Sequence, residues 1–171
     1  MTYSETTRDI FVTGLRTAHA MENEARSVMR PQVARLESYP EMKALLERHI
    51  YETEGQIDRL AQIFASLDES PSAFKDTVLS VMGSMAAMGH AVASDEILKN
   101  GLADYMFEHF EIAAYTSLIT MAKFFNLQTA IPLLEQNLAE ERAMAAAILD
   151  GLPNLTETFL SRSESGLQAK V

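Results

Sequence analysis

The chain has no cysteine and no tryptophan, and only 7 glycines and 5 prolines in 171 residues. Without cysteine there is no disulfide framework and no thiolate nucleophile or ligand. So few helix breakers, with 47% hydrophobic residues, suit a compact and mostly helical protein. Apolar runs never reach the roughly eighteen residues a membrane span needs. The opening residues, Met1 to Asp9, lack the basic-then-apolar order of a signal peptide, so the expected compartment is the cytoplasm. A basic stripe is missing too. The formal net charge is −10, which argues against a nucleic-acid partner and suits either a solvated acidic surface or attraction of cations.

What the chain does have is apolar residues spaced three and four apart, the mark of amphipathic helices. Phe11, Leu15, Ala18, Glu22, Ala25 and Met29 predict a helix from Thr6 to about Leu36, with a kink or restart at Pro31. After a turn at Tyr39-Pro40, a second helix begins with Pro40 at its first position and ends near Leu67. Its seam reads Met42, Leu45, His49, Glu52, Gln56, Leu60 and Ile63. Beyond the break at Asp68 to Ser72, Ala73 to about Val92 reads as one or two short helices. These carry a Met82, Met85, Met88 stripe and the weakening glycines Gly83 and Gly89.

Ser94, followed by Asp95 and Glu96, resembles an N-terminal cap. The third long helix then runs to about Phe125 along Phe107, Glu111, Ala114, Leu118, Met121 and Phe125. The fourth follows Leu127, Ile131, Leu134, Leu138, Glu141, Ala145 and Ile148, with a stop predicted at Gly151 and Pro153. Leu155, Phe159 and Leu160 belong to a tail that docks in part and then frays. The expected architecture is therefore all-α: one domain over residues 1–171, core about 5–150 and tail 151–171. It is a four-helix bundle with a long B–C crossover.

Glu22, Glu52, Glu111 and Glu141 stand where the seams call for apolar residues, and a buried carboxylate is costly unless paired, hydrogen-bonded or bound to a cation. A shift of 89 residues lays Glu22 on Glu111 and Glu52 on Glu141, and sets His19 against Glu108. A repeated helical hairpin with one seam carboxylate per helix brings all four to one level. Several carboxylates and a histidine at close range call for positive charge among them, which two divalent cations supply. Carboxylate and imidazole donors suit iron or manganese.

The predicted metal ligands are Glu22, His49, Glu52, Glu108, Glu111 and Glu141. A di-iron bundle ordinarily takes a Glu from two helices and Glu-x-x-His from the other two. Here the second helix offers the reversed order His49-x-x-Glu52. The fourth has Met144 in place of histidine three residues after Glu141. Glu54 and Glu140 read as surface residues paired with Lys or Arg, Glu24 as solvated, and Tyr51 and Tyr115 as packing residues. His109 points away from the ligand turn, and Gln56 is a candidate hydrogen-bond partner for a ligand.

Four segments carry a resemblance: Ala18-His19-Ala20-Met21-Glu22, His49-x-x-Glu52-Thr53-x-x-Gln56, Phe107-Glu108-x-Phe110-Glu111-Ile112-Ala113 and Leu138-Ala139-Glu140-Glu141. Together they resemble the ferritin-like proteins of the YciE and YciF type. The Tyr39-Pro40-Glu41 turn and the Phe159-Leu160-x-Arg162-Ser163 tail look closer to the YciE branch. The resemblance implies a ferritin-like bundle with a dinuclear metal centre, in homodimers of the bacterial cytoplasm associated with stress. The expected function is a di-iron or dimanganese carboxylate protein reacting with O2 or peroxide, an oxidase or peroxidase if it is an enzyme. The alternative is a helical stress or interaction protein with a structural metal or none.

Overall fold

Apolar spacing of three and four becomes four long helices in the computed structural model, which describes residues 5–71 and 93–170. These are α1 (Glu5–Arg35), α2 (Pro40–Ser66), α3 (Glu96–Phe124) and α4 (Ala130–Glu164), with no strand among the described residues. The core falls into two clusters. One gathers Phe11, Leu15, Leu60, Phe64, Leu118, Ala122, Ala130 and Leu134. The other gathers Met29, Leu36, Met42, Leu46, Ile97, Met144, Ile148 and Leu155.

The clusters give the helix directions. Helices α1 and α4 begin at the first cluster and run to the second, whereas α2 and α3 begin at the second and run to the first. Neighbours α1 and α2 are therefore antiparallel, as are α3 and α4. Helix α1 packs on α2 and α3, and α4 packs on the same two, so α2 and α3 are parallel diagonals. Their connection has to climb the length of the bundle. It leaves across α1, where Arg8 and Arg16 both bind Glu69 at 2.9 and 3.0 Å and donate to the Leu67 and Ser70 carbonyls. The Met82, Met85, Met88 stripe, Gly83, Gly89 and the short helices expected between Ala73 and Val92 lie outside the described residues. No helix among the described residues is long and apolar enough to cross a membrane.

Left-handed backbone at Asp68 and Asn126 (φ 56° and 57°) turns the chain after α2 and α3, a conformation that Asp and Asn tolerate better than most residues. Three expectations are corrected. Helix α1 does not restart at Pro31 but continues to Arg35, because buried Met29, Gln32 and Leu36 hold its last turns on the core. Asp95 rather than Ser94 is the N-cap of α3. Helix α4 does not stop at Gly151 and Pro153 but extends to Glu164. There Leu152, Leu155 and Phe159 pack on the second cluster, and Gly101 of α3 leaves room for Leu155 and Leu152.

The tail is fastened rather than frayed. Ile97 N–H donates to the Lys170 carbonyl at 3.0 Å, and the Tyr39 hydroxyl donates to that of Ala169. Glu96, almost wholly buried, pairs with Arg35 at 2.7 Å and Lys170 at 3.3 Å.

Candidate metal centre

Between the two apolar clusters lies a polar layer to which each helix contributes. Helix α1 supplies Glu22, α2 His49, Thr53 and Gln56, α3 Glu108, Glu111 and Tyr115, and α4 Asn137 and Glu141; all nine are buried. His49, Glu108, Glu111 and Glu141 form one group, each offering a ligand atom within 4.8 Å of the others. Imidazole Nε2 of His49 lies 3.4 Å from Glu108 Oε2 and 3.5 Å from Glu141 Oε2. Its Nδ1 faces outward, 3.0 Å from Glu52 Oε2.

Glu52 therefore does not share the buried layer. It is 28% exposed and sits on the far side of His49, with Arg48 3.7 Å from its other oxygen. Thr53 occupies the buried position instead. Glu22 is fully buried, but one of its oxygens is taken: Tyr115 donates its hydroxyl proton to Oε1. Asn137 donates to the same phenol oxygen at 2.9 Å, and Arg59 donates to Asn137 Oδ1 while also pairing with Glu140. A hydrogen-bonded chain thus leads from a partly buried ion pair to Glu22.

Ten buried side-chain polar atoms among the described residues lack a hydrogen-bond partner, and all belong to this layer: Glu22 Oε2, His49 Nε2, Thr53 Oγ1, both polar atoms of Gln56, Glu108 Oε2, and both oxygens of Glu111 and Glu141. Buried polar groups in proteins are nearly all satisfied, and each orphan costs roughly 1–3 kcal/mol. Concentrating orphans in one layer, with acceptors in excess, is what a site for cations requires. The donor set of the group, hard carboxylate oxygens and one imidazole, fits iron or manganese by its chemistry.

The electrostatics agree. Burial pushes the carboxyls of Glu22, Glu108 and Glu111 well above their ordinary range. Glu141 adds to that rise in all three, as do Glu22 and Glu108 at Glu111. Burial also acts against a charged His49, but Glu141, Glu52 and Glu108 outweigh it and pull the imidazole up to about 11. One turn before Glu108, burial raises Asp104 to about 7 although Gln32 donates to it.

Glu54 pairs with Arg30 on the surface and Glu140 with Arg59. Half-buried His19 sits edge-on to Phe64 and is not one of the group. His109 is exposed and packs on Tyr105, and Tyr51 is exposed. Tyr115, expected only to pack, holds Glu22 directly, and Asn137, beside the seam residue Leu138, holds Tyr115. Their signal was in the spacing: Tyr115 follows Glu111 by four, and Asn137 precedes Glu141 by four.

Residues 6–161 match a family model described as a domain of unknown function, DUF892. The chain is 28% identical over 157 residues to protein YciF of Escherichia coli K12, covering 85% of this chain and 90% of that protein. A crystal structure from Xanthomonas campestris superimposes with a TM-score of 0.77 at 28% identity, over 92% of this chain and 99% of the other. The crystal structure of the E. coli stress protein YciF gives 0.76 at 25% identity, over 88% and 97%.

Proposed function

We propose that this chain, which belongs to the DUF892 family, is a dinuclear metal-carboxylate protein that takes two iron or two manganese ions and reacts with O2 or peroxide. The observation that carries the reading is the buried layer of unpartnered carboxylate oxygens between two apolar clusters. Glu108, Glu111, Glu141 and Nε2 of His49 would hold the metals, with Glu22 adding its free Oε2. Glu52 fixes the His49 ring through Nδ1, as partners outside metal sites commonly do. Tyr115 holds the other Glu22 oxygen and is itself held by Asn137, and the flanking clusters exclude water. Metals held there would supply the electrons for reduction of the oxidant.

The stress designation of the E. coli relative supports a protective role, consumption of iron or peroxide, over a biosynthetic one. Within the family, the Tyr39-Pro40-Glu41 turn and the Phe159-Leu160-x-Arg162-Ser163 tail favour the YciE branch. Purification from iron-supplemented cells with metal analysis tests the reading. About two metal ions per chain are expected in the wild type and a large loss in Glu111→Ala/Glu141→Ala, with metal oxidation on exposure to O2 or peroxide. A metal-free wild type, or unchanged metal in the double variant, rejects it; metal without oxidation leaves a structural centre.

A further inference from the structure

Helix α4 breaks a local rule where packing does not ask for it. Gly151 lies inside the helix, where glycine costs about 1 kcal/mol relative to alanine. A Cβ there would meet no atom within 4 Å, so no close neighbour demands the small residue. What the missing side chain leaves is space. Gly151 lines a cavity of about 490 Å3 in the groove between α2 and α4, within the range of pockets that hold small organic molecules, about 300–1,000 Å3.

The lining is graded along the groove. Helices α2 and α4 are antiparallel, so Arg48 and Ala147 share the end nearer the polar layer. Met42, Leu45 and Leu155 form an apolar middle, with Met42 and Leu155 buried. At the far end Asn154 donates to Glu41 Oε2 at 2.8 Å, and this one acid of the lining lies about two helical turns from Arg48. Arg48 is the sole basic residue of the lining. Its pairing with Glu52 is at 3.7 Å, longer than a hydrogen bond, which leaves guanidinium donors for a ligand. A planar guanidinium matches a carboxylate in shape and charge.

We propose that this groove binds a small organic monocarboxylate with an apolar chain, its carboxylate on Arg48 and its chain along Met42, Leu45 and Leu155 over Gly151. The site is separate from the carboxylate layer, and the proposal does not depend on a metal there. Calorimetric titration of the full chain with decanoate tests it, with decanol as the uncharged analogue. Saturable binding of one decanoate per chain is expected, with decanol at least about tenfold weaker. Arg48→Gln should weaken decanoate by about ten- to a hundredfold, the worth of a charge-assisted hydrogen bond. Gly151→Leu should abolish binding by filling the groove, while melting no lower than wild type because the site is open and leucine favours helix. Absence of saturable binding overturns the proposal, as does equal binding of decanol or wild-type affinity in either variant.

Discussion

Replacing Glu111 with leucine should stabilise the metal-free protein and remove its response to metal. Glu111 is fully buried and neither carboxylate oxygen has a hydrogen-bond partner. Two orphaned acceptors cost roughly 1–3 kcal/mol each. Protonation relieves part of this, since burial and the neighbouring Glu22, Glu141 and Glu108 raise the Glu111 carboxyl far above its ordinary range. Leucine removes both orphans at similar volume, and buried charges exchanged for apolar residues commonly yield about 1–4 kcal/mol. A net gain of about 2 kcal/mol corresponds to a Tm about 4–8 °C higher for a chain of this size. With manganese at a hundred times its Kd, the wild type gains about 2.7 kcal/mol and the variant little. The order of melting should therefore invert between chelator and metal. The assay is calorimetric melting of both proteins, with chelator and with Mn(II). A variant that melts below wild type in chelator refutes the orphan-carboxylate reasoning.

Tyr115→Phe strips partners from Glu22 Oε1 and from Asn137 Nδ2, and should lower metal-free stability by about 1–3 kcal/mol in urea unfolding; an unchanged midpoint means the bond contributes nothing. Pro153→Ala restores a missing donor at an exposed position inside α4. It should stabilise by up to about 3 kcal/mol, and a loss would show that the proline is itself required. Glu96 gives a pH dependence: burial opposes its charge, but Arg35 and Lys170 outweigh burial and hold the carboxyl below 4.5. A depressed carboxyl contributes stability that is complete above its unfolded value and lost as pH falls through the folded one. The Tm gap between wild type and Glu96→Gln should be full at neutral pH and close on acidification below about 4.5. A gap independent of pH would mean that the ion pairs do not fasten the tail.

The fold was legible wherever one helix face was apolar and the other polar. All six seam residues read on α1 are buried, Glu22 among them, and α4 keeps Leu134, Leu138, Glu141, Ala145 and Ile148 inside. On α2 two registers fit the same spacing. From His49 the seam can step to Glu52 or to Thr53, and both lead to Gln56; the structure buries Leu46 and Thr53 and leaves Leu45 and Glu52 at the margin. Only the neighbours decide, since Glu52 gains His49 and Arg48 by staying outside. Helix α3 is apolar nearly all round, with Leu102, Met106, Phe110 and Phe124 exposed. Periodicity therefore placed its seam half a step off, on Phe107 and Ala114 rather than Glu108 and Tyr115. The tail was misjudged for another reason: Gly151 and Pro153 are local stop signals, and the contacts that override them come from α3 and from residues far along the chain.

Departures from local rules separate into two kinds once the packing around them is known. Pro31 sits inside α1, yet its neighbours in the last turns, Met29, Gln32 and Leu36, are buried on the core; tertiary packing accounts for the helix continuing through it. The carboxylate layer and Gly151 have no such account. The layer gathers every unpartnered buried side-chain atom among the described residues, and Gly151 faces open space. Both tend to lower the stability of the empty protein, and natural sequences retain such features chiefly at functional sites. The two apolar clusters make this tolerable, since they flank the layer and join all four helices on either side of it. A bundle held at both ends can keep an unfavourable middle layer. Met144, fully buried in the second cluster where a histidine ligand was missed, shows where that layer stops: three residues past Glu141, α4 has already returned to building core.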